Sequence, residues 1–223
     1  YTAEECFADN VSESKLKERF KACTGGIYEA FLAMGEYNNI FDDDRLYPRF
    51  YTRFMGKRLL WQDVLEGMFD FFLEKQPMSQ HYNKYAAKMR DYFKQGGPWQ
   101  DLYGYCASLF EMMSVKCFIA ERLKKAYDTN NRQFLSDAAQ DYLPDLLDKT
   151  EALHSYHKKL WLSNRKAFGF GVLDIRYGGV KERTKTAIER INAYLNGEID
   201  EIEELAEDRL EIEVRDLFSH IRI

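Results

Sequence analysis

Apolar residues recur along this chain every three to four positions, the spacing that lines one side of an α-helix. The segment "SESKLKERFKACTGG" opens on serines, and Ser12 or Ser14 can accept from the free amides of a first helical turn. Gly25-Gly26 then supplies a left-handed stop. A short second helix follows in "IYEAFLAM", with Ile27, Phe31 and Met34 on one side. The same period runs through "LLWQDVLEGMFDFFLEK", where Leu60, Val64, Met68 and Phe71 fall at i, i+4, i+8 and i+11. Pro77 begins a helix over residues 77–94, at a position where its missing amide is harmless. Gly96-Gly97-Pro98 is a sharp break. From Trp99 to the closing "DTNN" the chain reads as one long helix, apolar on several sides, which marks the centre of a bundle. Residues 131–164 predict another long helix that Pro144 either kinks or splits. The last long helix covers 174–196 and stops at Asn196-Gly197.

Two stretches break the pattern. Residues 37–58 mix turn formers with six aromatics and show no clean period, so they predict a long irregular surface insertion. Residues 198–216 hold ten acids and two bases, a net charge of −8. Ile199, Ile202, Leu205 and Leu210 interrupt them at roughly helical spacing, so a solvated acidic helix is expected. Beyond it, Leu210, Ile212 and Val214 alternate as a short β-strand would. Short connections make neighbouring helices antiparallel. The expected fold is all-α: an up-down bundle of about seven to nine helices, with a C-terminal strand as the one non-helical option.

Composition narrows the class without changing that picture. The 223 residues are 45% apolar and 31% charged, a soluble globular balance. They form a single helical domain over 1–223, in which residues 1–10 read as the last helix of a preceding domain. The chain starts at Tyr1, inside what reads as a helix, and a piece of a longer protein is therefore expected. No stretch approaches the ~18 consecutive apolar residues of a membrane span, and no leader is visible. The net charge of −5 becomes +3 once the acidic segment is set aside, which gives no basis for nucleic-acid binding. Cys6, Cys23, Cys106 and Cys117 form no CxxC pair, so reduced thiols and a cytoplasmic setting are expected.

Candidate chemistry is sparse. In "FGFGVLDIRYGGVKERT", Gly169 and Gly171 begin a G-x-G-x-x-G pattern, but its third position is Asp174 and a helix end precedes it. A phosphate would face a carboxylate there, so the stretch reads as a helix–helix connection. In that reading Gly169 and Gly171 take positive φ, and Phe168 and Phe170 plug the core. Asp174 caps the next helix, and Gly178-Gly179 admits a close helix neighbour. Glu151, His154 and His157 share one helical face, and E-x-x-H is a di-iron ligand pattern. A di-iron site needs a second such motif, which this chain lacks, so no metal or other cofactor is expected. Trp61, Gln62 and Asp63 combine a ring with an amide and a carboxylate, as a sugar subsite does. The alternative places Trp61 in the core and makes Asp63 a cap. No nucleophile elbow, Walker loop or HExxH motif is present.

Three stretches carry a resemblance: "YTAEECFADNVSESKLKERFKACTG", "KRLLWQDVLEGMFD" and "LHSYHKKLWLSNRKAFGFGVLDIRYGGVKERTKTAIERINAYLNGEIDEIEEL". Together they resemble the C-terminal helical region of bacterial family 20 glycoside hydrolases, the β-N-acetylhexosaminidases. The resemblance implies an N-terminal (β/α)8 catalytic domain in the same polypeptide. There an Asp–Glu pair removes terminal N-acetylhexosamine from glycans, with the sugar's own 2-acetamido oxygen as nucleophile. The sole Asp-Glu dipeptide here, Asp200-Glu201, sits in the acidic segment, so no catalytic residue carries over. What the resemblance leaves for this chain is packing on the barrel, support of a homodimer, or shaping the rim of the sugar site. Trp61, Gln62, Asp63, Asp174 and Arg176 are the rim or interface candidates. A free-standing helical interaction module without enzymatic activity is the alternative.

Overall fold

The computed structural model describes Cys6 and residues 12–39, 55–67, 69 and 78–209. Every regular element among the described residues is a helix, with no strand among them. Two short helices, α1 (Glu13–Thr24) and α2 (Tyr28–Gly35), lead in, followed by α3 (Met55–Trp61). The body is α4 (Met78–Gln95), α5 (Gln100–Asp128), α6 (Arg132–Asp137), α7 (Leu143–Asn164) and α8 (Phe170–Asn196). A single turn, α9 (Glu203–Ala206), ends the described chain.

The long helices run up and down, as their cross-contacts require. Between α4 and α5, Tyr92 meets Tyr103 while Tyr85 meets Phe110. Between α5 and α7, Asp101 pairs with Lys159, and Phe118 packs on Tyr142 immediately before α7. Between α7 and α8, Trp161 meets Phe170, His154 meets Asp174 and Glu151 meets Lys181. In each pair one number climbs as the other falls, which is antiparallel packing.

Helix α5 is the axis: 17 of its 29 residues are buried, on every side. It lies against α4 on one flank and α7 on another. Gly104 sits where all three meet. A methyl group there would lie 2.6 Å from the Tyr156 ring and 3.0 Å from Phe93. Just beside this crossing, the Arg90 guanidinium grips Glu111 through two 2.6 Å bonds and also donates to Ser108 and Tyr156. Burial on α5 pushes the Cys106 and Cys117 thiols up to about 12, as befits small core residues.

Pro144 is absorbed by a π-helical turn, Ala138–Tyr142, rather than by a break. Proline offers no amide, and the extra residue in the turn lets Leu143 donate to Ala138 five residues back. Several expected boundaries move. The helix through "LLWQDVLEG" stops at Trp61 instead of continuing, because Asp63 caps a turn of its own there; Leu60 and Val64 are still buried. Residues 55–58, expected within the irregular insertion, are helical; 40–54, Met68, Phe71, Pro77, the 210–223 tail and most of 1–10 lie outside the described residues. Ser12 occupies the N-cap position of α1, but its hydroxyl bonds Ser14 and not a backbone amide. Gly25, at φ 67°, ends α1 as expected.

Replacing Gly104 by Ala adds an intrinsically better helix former yet overpacks the crossing. It should lower stability by about 1–3 kcal/mol, read from the urea midpoint. An unchanged or raised midpoint would mean that α4 and α7 do not close on α5 at this position.

Candidate functional site

The α7–α8 connection is anchored by Gly169, at φ 92°, the one glycine of this stretch in the left-handed region. Three expectations for it are corrected. Phe170 is buried, but Phe168 points outward with 89% of its surface exposed. Helix α8 begins at Phe170, four residues early, so Asp174 lies inside it and caps nothing, and Gly171 is ordinary helix. Among the described residues no helix closes on Gly178 or Gly179; a methyl on either would meet none of them within 4 Å.

Asp174 instead turns toward α7, where its carboxylate stands 2.7 Å from His154 Nε2. Glu151 is held by Lys181 at 2.7 Å, which keeps its carboxyl below the usual range. His157 Nδ1 lies 3.0 Å from the Tyr177 hydroxyl, and burial pushes its imidazole down. The three residues considered as ligands thus face three separate partners. Among the described residues no group of three or more His, Cys, Asp or Glu is placed to hold a metal.

On the opposite flank of α8 a groove of about 1120 Å³ opens, and four of the five rim candidates line it: Trp61, Gln62, Asp63 and Arg176. Its walls are the end of α3 with the turn that follows, the middle of α8, and α9 with the residues after it. The Trp61 ring packs edge-on against the Tyr177 ring, centroids 5.1 Å apart. The Arg176 guanidinium lies over the same indole, 5.7 Å from its centroid.

Gln62 and Asp63 are committed to holding the groove together. The Gln62 amide oxygen accepts from the Phe69 amide at 2.8 Å, and its backbone carbonyl accepts from Lys116. Asp63 Oδ1 accepts from the amides of Leu65 and Glu66, a helix-cap geometry. Its Oδ2 accepts from Arg183 Nε at 2.6 Å, across 120 residues of sequence. Burial alone would raise the Asp63 carboxyl; the guanidinium and the two amides outweigh it and hold the carboxyl below its usual range.

The acidic segment is not the solvated helix its composition suggests. Among its described residues only Glu203–Ala206 is helical, and Ile202 and Leu205 are buried. Glu203 and Glu204 clamp Arg190, and Glu204 also reaches Arg183 at 3.8 Å. Arg209 donates to the carbonyls of Leu65, Glu66 and Ala120, so this segment closes one side of the groove. Arg58 is a groove residue the sequence did not single out. Its guanidinium sits over the Phe69 ring at 5.5 Å, with Nη1 buried and without a hydrogen-bond partner among the described residues. Its i, i+3 spacing from Trp61 was the available signal. Arg183 had none, since its pairing is long-range.

The described residues form a helical bundle beside a groove with an aromatic and cationic mouth. The family model described as Glycoside Hydrolase 20C C-terminal domain matches residues 29–220, and the chain belongs to that family. It is the non-catalytic helical C-terminal domain of a family 20 glycoside hydrolase, whose catalytic domain lies in the same polypeptide. No curated protein sequence matches the chain. None of the described helices is long and apolar enough to cross a membrane.

Because the folded-state value of Asp63 is depressed, its stabilising effect is fully present above the ordinary carboxylate value, about pH 4, and fades as pH falls through the depressed value. Asp63→Asn should therefore have a lower urea midpoint than wild type at pH 6, with the gap narrowing by pH 3. A gap that stays constant across this range would exclude the Arg183 pair as its source.

Proposed function

We propose that this domain packs on the (β/α)8 barrel of a β-N-acetylhexosaminidase and brings Trp61 and Arg176 to the rim of the sugar site or to the subunit interface beside it. The observation that carries the reading is their meeting. Trp61 ends α3 and Arg176 lies in the second turn of α8, yet the guanidinium covers the indole at the groove mouth. An indole edge beside a cation suits the apolar face and hydroxyls of a pyranose, and it suits a carboxylate from a neighbouring subunit equally. Gln62 and Asp63 support the rim from behind, through the turn they hold and the Arg183 pair. Asp174 plays no part in it, being turned to His154 on the other flank.

The parent enzyme in this reading releases terminal N-acetylhexosamine from glycans, in the cytoplasm, as part of carbohydrate breakdown. Its catalytic Asp–Glu pair lies in the barrel. The domain needs no cofactor of its own for that role, and a homodimer would place one subunit's groove beside the other's barrel.

Alanine at Trp61 or at Arg176 in the full-length enzyme should raise KM about 5- to 30-fold, equivalent to ~1–2 kcal/mol, or split the dimer, while the barrel stays folded. Michaelis constants on a nitrophenyl N-acetylhexosaminide and light-scattering masses read both. Wild-type values of each in both variants would reject the role.

A further inference from the structure

We propose that the outward face of the first three turns of α8 is where this domain docks against the catalytic domain of its own polypeptide. Phe168, Val172 and Ile175 are 89%, 56% and 75% exposed. Val172 and Ile175, at i and i+3, share one side of the helix, which leads to the groove mouth at Gly179 and Arg176, and Phe168 stands exposed in the turn just before it.

Gly171, Gly178 and Gly179 lie on the same side, and among the described residues nothing requires them to be glycine. All three are helical, none has positive φ, and a methyl on each would meet nothing within 4 Å. Glycine weakens a helix relative to alanine, so an unrewarded run of three is a cost within this domain. Gly104 shows the contrast, since there the neighbouring rings forbid a side chain. A strip of exposed apolar groups separated by bare backbone fits an apolar helix approaching closely from outside. A (β/α)8 barrel presents such helices around its outer ring.

The tethered domain suits this face better than a second copy does. Three apolar side chains cover only a few hundred Å². That falls short of the roughly 800 Å² per partner that free association buries. A covalent link supplies millimolar effective concentration, so a smaller face suffices. The link to an N-terminal domain leads into α1, whose C-terminal end lies at this end of the bundle. Trp99 donates to the Thr24 carbonyl at 2.8 Å and lines the same cleft as Trp161 and Asn164, at the end of α7.

This docking has a partner only if the chain serves a hydrolase as proposed above, and the test separates the two. The full polypeptide is compared with its Gly171→Ala/Gly178→Ala/Gly179→Ala variant and, separately, with Ile175→Asp. Calorimetry, limited proteolysis at the junction before α1 and light scattering are read on each. Gly35→Ala, an equally open helical glycine off this face, is the control. Docking predicts that the triple variant and Ile175→Asp lower Tm by about 2 °C or more and nick at the junction about tenfold faster, while the control does neither. A raised Tm with unchanged nicking in the triple variant, as helix propensity alone dictates, overturns the docking. So does loss of a dimer with the junction still protected, which would make the occupant a second copy. A wild-type polypeptide without hexosaminidase activity would sink the functional reading itself, and the docking with it.

Discussion

The pinning of α8 on two of its flanks governs everything this domain presents to the outside. On one flank, His154–Asp174 and Glu151–Lys181 fix its register against α7. On the other, Arg183 reaches Asp63 in the turn after α3, and Arg190 takes Glu203 and Glu204 from α9. With both flanks committed, rotation of the helix is not free. The third side, carrying Val172 and Ile175 just past the exposed Phe168, must face outward. Exposed ion pairs individually contribute little, but their role here is orientation more than stability. The stability comes from the layer beneath, where α5 is buried all round and Gly104 lets α4 and α7 close on it.

The same arrangement creates the groove. Helix α8 packs on α7, α6 and the π turn, so α3, its following turn and α9 stand along its free flank. Asp63, Gln62 and Arg209 tie those short pieces to α8 and α5 through charge-assisted bonds to side chains and carbonyls. The groove mouth and the apolar strip share Arg176 and Gly179 as their border. A barrel seated on the strip would therefore also face the groove, so the packing role and the rim role proposed for the domain are two parts of one surface.

Much of the fold was legible in the sequence because it rests on local periodicity. The all-α class, the central helix over "WQDLYGYCASLFEMMSVKCFIAERLKKAYD", the stops at Gly25 and Gly197 and the disturbance at Pro144 all follow from spacing and backbone chemistry. What was not legible depends on distant partners. Nothing near Asp63 announces Arg183, so the helix end at Trp61 could not be placed. The pairing of the acids at 203 and 204 was hidden because Arg190 lies in another element. Phe168 misled most, since a phenylalanine between glycines looks like a core plug and is the most exposed of the large apolar residues described. Trp61, Gln62, Asp63 and Arg176 converge on one groove, whereas Asp174 is carried to the far flank by helical rotation.

Hydroxyl-radical footprinting of the intact polypeptide reads the covered side of α8 without any substitution. If the domain is an accessory piece seated on its catalytic partner, Phe168 is oxidised at a small fraction of the rate of free phenylalanine, despite being 89% exposed in the domain alone. Oxidation of Phe168 at nearly the free rate would mean that nothing covers that side and that the domain stands apart from the barrel.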